Sequence, residues 1–187
     1  MILAGGRAAR LGGRDKPMVA VGGVPMLVRV VNAVREVGAS PVVVVGPDRE
    51  GLPPGITVVR EEPAGGGPVA AAAVGVAAVA ENEKVALLAS DLPLLSAEAI
   101  RVLLRGLGAK DGALFVDGEG RRQLLCGVWR VRALRRAIQQ FGEPGGGSLR
   151  RLLQHLEVNE VRWEGERAPY VDCDTEEDLG KARRAVQ

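Results

Sequence analysis

Residues 3–16 read LAGGRAARLGGRDK: a short apolar end, then a loop holding Gly5, Gly6, Gly12 and Gly13 together with Arg7, Arg10, Arg14 and Lys16. Glycine tolerates positive φ and lets backbone N–H groups approach an anion, while guanidinium and ammonium groups supply the charge that a triphosphate requires. Met1 to Ala4 then reads as the end of a strand, and in an open parallel sheet ligands bind beyond the carboxyl ends of strands. The spacing excludes two other phosphate loops. Gly6 and Gly12 do not form G-x-G-x-x-G, and Lys16 is followed by Pro17 instead of Ser or Thr. From composition alone, a surface loop with solvated arginines is the plain alternative.

Beyond the loop, β-branched runs recur at 41–45 (PVVVV), 56–59, 84–89, 113–116, 124–129 and 157–161, and these read as strands. Segments of helical period lie between them at 25–37, 68–80, 97–106, 131–141, 149–156 and 175–186, several opened by Pro, Ser or Asp-Thr. Alternation of strand and helix predicts an α/β fold with a mostly parallel twisted sheet. The run from Pro68 to Ala80 is Ala, Val and Gly after its opening proline, which fits a helix packed closely on that sheet. A first strand of about four residues is short for a central position, where ~5–6 is usual. This points to a short native extension ahead of Met1.

The chain has 187 residues, 47% hydrophobic and 26% charged, and suits a single domain over 1–187, with the Gly/Pro clusters at 47–55, 63–68 and 144–147 as loops. With 25 basic and 23 acidic residues, the balance is too even for broad attraction to nucleic acid or to a membrane surface. No charged leader precedes an apolar stretch, and no run reaches the ~18 apolar residues of a membrane helix, so a soluble, cytoplasmic protein is expected. Cys126 and Cys173 have no close Cys or His to share a metal and read as structural thiols. His155, the sole histidine, lies on an amphipathic segment without a nucleophile or metal partner nearby.

Three further stretches carry chemistry. KVALLASDLPLL (84–95) ends a strand on Asp91, a hard oxygen ligand for magnesium or, equally, a turn residue ahead of a helix capped by Ser96. Gly67 and Pro68 close a glycine run and open a helix. Asp172, Asp174 and Thr175 precede the last helix, where Asp174 or Thr175 can form a capping box with Glu177 or Asp178.

Leu3, Ala4, Gly5, Gly6, Arg10, Gly12 or Gly13 and Lys16 together resemble the L-A-G-G-x-x-x-R-x-G-x-x-K signature of the molybdenum cofactor guanylyltransferase family, with one extra residue and Leu11 for Met. Gly65 to Ala71 resembles its G-P-L-A-G segment, with Ala71 for the second Gly. Residues 170–179 resemble its N-x-N-T-P-E-D-L segment, with aspartates at 172 and 174. In order, these matches run from Leu3 to Leu179.

The resemblance implies a three-layer αβα Rossmann-like fold of the nucleotide-diphospho-sugar transferase type. It also implies magnesium-dependent transfer of GMP from GTP to the phosphate of molybdopterin or molybdenum cofactor, with pyrophosphate released. Nucleotide binding would fall to Leu3, Ala4, Gly5, Gly6, Arg7, Gly12, Gly13, Lys16, Gly67, Pro68 and Asp91. Arg10, Lys16 and Asp91 would be catalytic, and Asp91 with Asp174 would hold the metal. The acceptor would meet Arg121, Arg122, Gln123, Ser148, Arg150, Asp172 and Asp174. Cofactor-delivery chaperones or molybdoenzymes are the implied protein partners. Ala71, Asp172 and Asp174 keep open a cytidylyl- or sugar-phosphate nucleotidyltransferase, while Ala4-Gly5-Gly6 favours GTP. A nucleotide-binding adaptor without turnover is the remaining reading.

Overall fold

In the computed structural model, which describes the chain apart from residues 6–9, 12, 63, 80, 144 and 187 and gives only the backbone of 10 and 11, the valine run forms a fully buried strand. Seven strands make one sheet: β1 (Ile2–Leu3), β2 (Val42–Val45), β3 (Ile56–Val59), β4 (Lys84–Ala89), β5 (Gly112–Val116), β6 (Arg122–Arg130) and β7 (Val158–Arg162). Their order is β7-β5-β6-β4-β1-β2-β3. All pairings among β1 to β4 are parallel, as is β7 with β5, whereas β6 runs antiparallel to both β4 and β5. Strands covered on both faces lose the alternation of a half-exposed sheet, which is why β2 can be four valines in a row.

The helices are α1 (Met26–Glu36), α2 (Pro68–Ala78), α3 (Ala97–Gly106), α4 (Val131–Phe141), α5 (Leu149–Leu153) and α6 (Glu176–Ala185). Alternate residues of β1 and β2 send Leu3, Val43 and Val45 to one face, under Val69, Ala72 and Val76 of α2, Leu134 of α4 and Leu152 of α5. Ile2, Val42 and Val44 face the other way, against Leu27 and Val30 of α1 and Ile100 and Leu103 of α3. The result is the expected α/β sandwich of three layers. Each such aliphatic side chain contributes about 1.5–3 kcal/mol on full burial. Gly75 of α2 lies so close to the sheet that a Cβ there would come within 3.0 Å of Val45 Cγ2, so the small-residue composition is what lets α2 approach.

Periodicity located every helix to within a few residues. The segment 149–156 is helical only to Leu153, after which Leu156 N–H bonds back to the Leu153 carbonyl in a tighter turn. Two two-stranded ribbons, Arg10–Leu11 with Arg14–Asp15 and Ala20–Val21 with Val24–Pro25, carry no such signal because each strand is two residues long. α6 opens with the capping box, in which Thr175 Oγ1 accepts from Asp178 N–H while the Asp178 carboxylate accepts from Thr175 N–H. Leu179 and Ala182 of α6 pack with Val19, Val21, Met26 and Cys173, which brings the segment before α6 against the residues that follow the glycine loop. No helix among the described residues is long and apolar enough to cross a membrane.

Candidate active site

β1 and β4 end side by side in the centre of the sheet, with Leu3 opposite Ala89. A cavity of about 510 Å³ opens there, lined by Leu3, Gly5, Ala89, Ser90 and Asp91 at the strand ends and by Lys16, Pro17 and Asp174 from the flanking segments. Lys16 starts a 3₁₀ turn (Lys16–Met18) directly after the Arg14–Asp15 ribbon, and Pro17 suits an early position there because it has no N–H to leave unpaired. That turn aims a side chain only 4% exposed into the cavity.

Lys16 Nζ donates to Asp174 Oδ1 at 2.5 Å and is also ion-paired with Asp91 Oδ2. Burial works against the charged amine, but the hydrogen bonds to Asp174 and Asp91 and the charges of both carboxylates outweigh it. The Lys16 pKa lies above the ordinary lysine value, and the ammonium stays charged at neutral pH. Asp172 is displaced upward, first by partial removal from solvent and then by the negative charges of Asp174 and Asp91. Two carboxylates therefore converge on one cation.

The opposite wall is made of glycine loops. Gly67, with φ of +90°, takes a conformation that a side chain would resist, and it caps the N-terminus of α2 ahead of Pro68. Gly146 N–H bonds the Gly66 carbonyl at 3.0 Å, so 65–67 meets the loop before α5 at the cavity mouth, where Gly65, Gly67, Pro68 and Gly146 all line it. Glu61, only 6% exposed, lines the same wall. Its Oε1 accepts from Gly65 N–H at 3.1 Å, and its Oε2 is buried with no hydrogen-bond partner among the described residues.

Of the residues expected at the site, Leu3, Gly5, Lys16, Gly67, Pro68, Asp91 and Asp174 share this cavity. Ala4, between Leu3 and Gly5, is 1% exposed and is not part of the lining. Gly13, φ +79°, is exposed in the turn between Arg10–Leu11 and Arg14–Asp15. Gly6, Arg7 and Gly12 lie outside the described residues, as does the Arg10 side chain. Arg121, Arg122 and Arg150 come together elsewhere, around a second cavity of about 430 Å³ over Leu114, Trp129 and Leu153. Arg121 pairs there with Glu119 and Arg122 with Glu160. Leu124 lines that cavity and Leu125 the first one, so the irregular stretch of β6 between Arg122 and Gly127 divides them. Gln123 Nε2 donates to Asp117 Oδ2 at 3.2 Å, and Ser148 Oγ caps α5 by accepting from Arg151 N–H.

Sequence reading passed over Glu61, Ser90, Gly146 and Arg49. Glu61 sits beside Glu62 ahead of a Gly/Pro loop, and nothing in that pattern separates a buried carboxylate from a solvated one. Arg49 falls in a polar turn, yet its side chain is 4% exposed.

A family model described as the MobA-like NTP transferase domain matches residues 1–161. A relative from Nostoc sp., named probable molybdenum cofactor guanylyltransferase, is 34% identical, the match covering 96% of this chain and 87% of the relative. Among solved structures, a nucleotidyl transferase from Methanothermobacter thermautotroptrophicus superposes with a TM-score of 0.78 at 20% identity, covering 98% of this chain and 94% of the other. The molybdopterin-guanine dinucleotide biosynthesis protein A from Archaeoglobus fulgidus gives 0.69 at 20% identity, covering 99% and 96%.

Proposed function

The chain belongs to the MobA-like NTP transferase family and is a nucleotidyltransferase, and on that premise we propose that it transfers GMP from GTP to the terminal phosphate of molybdopterin or its molybdenum form. The observation that carries this reading is the meeting of Lys16, Asp91 and Asp174 in one cavity at the carboxyl ends of β1 and β4. An acceptor phosphate oxygen attacks the α-phosphorus, the bond from that phosphorus to the bridging oxygen breaks, and pyrophosphate leaves with the electron pair. The acceptor is an anion at neutral pH, so no general base is needed.

Backbone amides from Gly5 onward and Arg10 hold the β- and γ-phosphates, and Lys16 stabilises the charge that builds on the α-phosphate during attack. Asp91 and Asp174 fit a divalent cation. Magnesium takes one or two carboxylates and completes its shell with phosphate oxygens and water, a need that Asp91 and Asp174, both paired with Lys16, would meet. The ammonium of Lys16 already marks the point where the two carboxylates converge. When bound, magnesium would neutralise phosphate charge and orient the leaving group.

Glu61 supports guanine over cytosine. Guanine offers two adjacent donors, N1–H and N2–H, which a carboxylate accepts together, whereas cytosine sets acceptors next to its single amino donor. Glu61 lines the cavity wall, and its carboxylate would suit the first pattern on turning toward the base, since Oε2 is buried and Oε1 accepts from Gly65 N–H. Asp172, near Lys16, is left for the reacting end of the acceptor, and Arg121, Arg122, Gln123, Ser148 and Arg150 for the part of it remote from the reacting phosphate. The protein works in the cytoplasm, where it hands its product to delivery chaperones or molybdoenzymes.

A thermal-shift series with each nucleoside triphosphate and magnesium tests the base. At 100 times its dissociation constant a ligand stabilises by about 2.7 kcal/mol. GTP should give the largest shift, and a larger one with CTP would overturn the guanine reading.

A further inference from the structure

We infer that Arg49 is a positioning residue that clamps the two ends of the glycine loop, an inference that rests on the reading of that loop as the phosphate grip. Arg49 Nε and Nη2 donate to the two oxygens of Asp15 at 2.6 and 2.9 Å. Nη2 also donates to the carbonyl of Ala4 at 2.8 Å, and Nη1 to the carbonyl of Pro47 at 3.2 Å. Ala4 is the last residue before the loop and Asp15 the residue before Lys16, so one guanidinium, 4% exposed, ties the loop's entry to its exit. A planar fork suits this task, because its two donor edges engage a carboxylate and a carbonyl at fixed angles that a lysine cannot reproduce.

The backbone around Arg49 is built to the same end. Gly46, at the end of β2, has φ of +154°, and a Cβ there would come 2.8 Å from the carbonyl carbon and oxygen of Ala4. The turn carrying Arg49 is thereby pressed against Ala4 and Gly5, with Ala4 N–H bonded to the Val45 carbonyl at 2.8 Å. Arg49 does not line the cavity and acts only through Asp15 and Ala4. Misplacing a phosphate grip by about 1 Å can cost roughly 100-fold in rate.

The test compares Arg49→Ala, Arg49→Lys, Asp15→Asn and the double variant Arg49→Ala/Asp15→Asn, with Arg35→Ala as control. Arg35 bonds the Pro54 carbonyl at the far end of the same connection and touches neither end of the loop. Two readouts are taken well below the melting temperatures: kcat and KM for GTP and acceptor, and the rate of tryptic cleavage after Arg7, Arg10 and Arg14. Arg49→Ala should cut kcat/KM for GTP by roughly 10- to 100-fold while the acceptor KM moves less than about twofold, and should speed cleavage in the loop. Arg49→Lys should not restore it, and the double variant should be no worse than the worse single one, since the two side chains act as a unit. Variants that melt earlier yet keep wild-type kcat/KM and cleavage, or losses that multiply in the double variant, would overturn the clamp. If the wild type turns over no GTP, the nucleotide reading fails while the cleavage series still decides the role of Arg49.

Discussion

Lys16 and Asp174 meet through a 2.5 Å hydrogen bond across 158 positions of sequence, and the same ammonium pairs with Asp91 at the end of a central strand. The long-range contact exists because α6 docks on Val19, Val21 and Met26 and delivers the segment before it to the cavity.

Replacing Lys16 by Met should lower kcat by about 10²–10³, the loss typical of a donor that stabilises developing charge, with a smaller change in the KM for the nucleotide. Steady-state kinetics at saturating acceptor measure this. A change confined to KM would show that Lys16 serves ground-state binding alone.

Glu61→Gln exchanges a double acceptor for an amide that presents a donor. Hydrogen bonds to charged groups contribute about 1.5–3 kcal/mol, so the kcat/KM ratio of GTP over CTP should fall by roughly 10- to 100-fold. Competition between the two triphosphates for one acceptor reads the ratio directly, and an unchanged ratio would remove Glu61 from base recognition.

Burial pushes the Cys126 thiol up to about 12 from 9.0. The folded state thus holds its proton more tightly than the unfolded one. Stability contributed by this group is complete below pH 9 and declines as pH rises toward 12. In native protein at pH 8, iodoacetamide should leave Cys126 unlabelled, whereas urea should expose it to rapid alkylation, as peptide mapping would report.

Gly112→Ala tests the packing of the antiparallel strand. A Cβ on Gly112 would overlap the ring of Trp129, which is wholly buried on β6. Overpacking of this kind costs about 1–3 kcal/mol, which urea denaturation would detect as a lower midpoint with an unchanged slope.

Much of this molecule could be read from its residues. The period of 97–106 and 131–141 matched α3 and α4, and 56–59 and 84–89 matched β3 and β4, because those elements carry the apolar spacing that their burial demands. The ribbons around Gly12-Gly13 and Gly22-Gly23 were hidden, since strands of two residues show no alternation. Lys16, Asp91 and Asp174 were legible through the order of the motifs, but their convergence on one point was not. Glu61 and Arg49 were missed for a common reason: in sequence each is a charged residue in a polar turn, and only tertiary packing withdraws it from water. Arg121, Arg122 and Arg150 share one cavity, which lies across β6 from Lys16 and which no spacing in the sequence indicates.

Transfer of label from α-labelled GTP to molybdopterin, run with magnesium and with CTP and sugar phosphates as competing substrates, tests the assignment most directly. Formation of a labelled guanine dinucleotide with equimolar pyrophosphate, abolished by chelation and by Asp91→Ala, is the predicted result. Preferential use of CTP, label on a sugar phosphate, or full activity in the Asp91→Ala variant would contradict it.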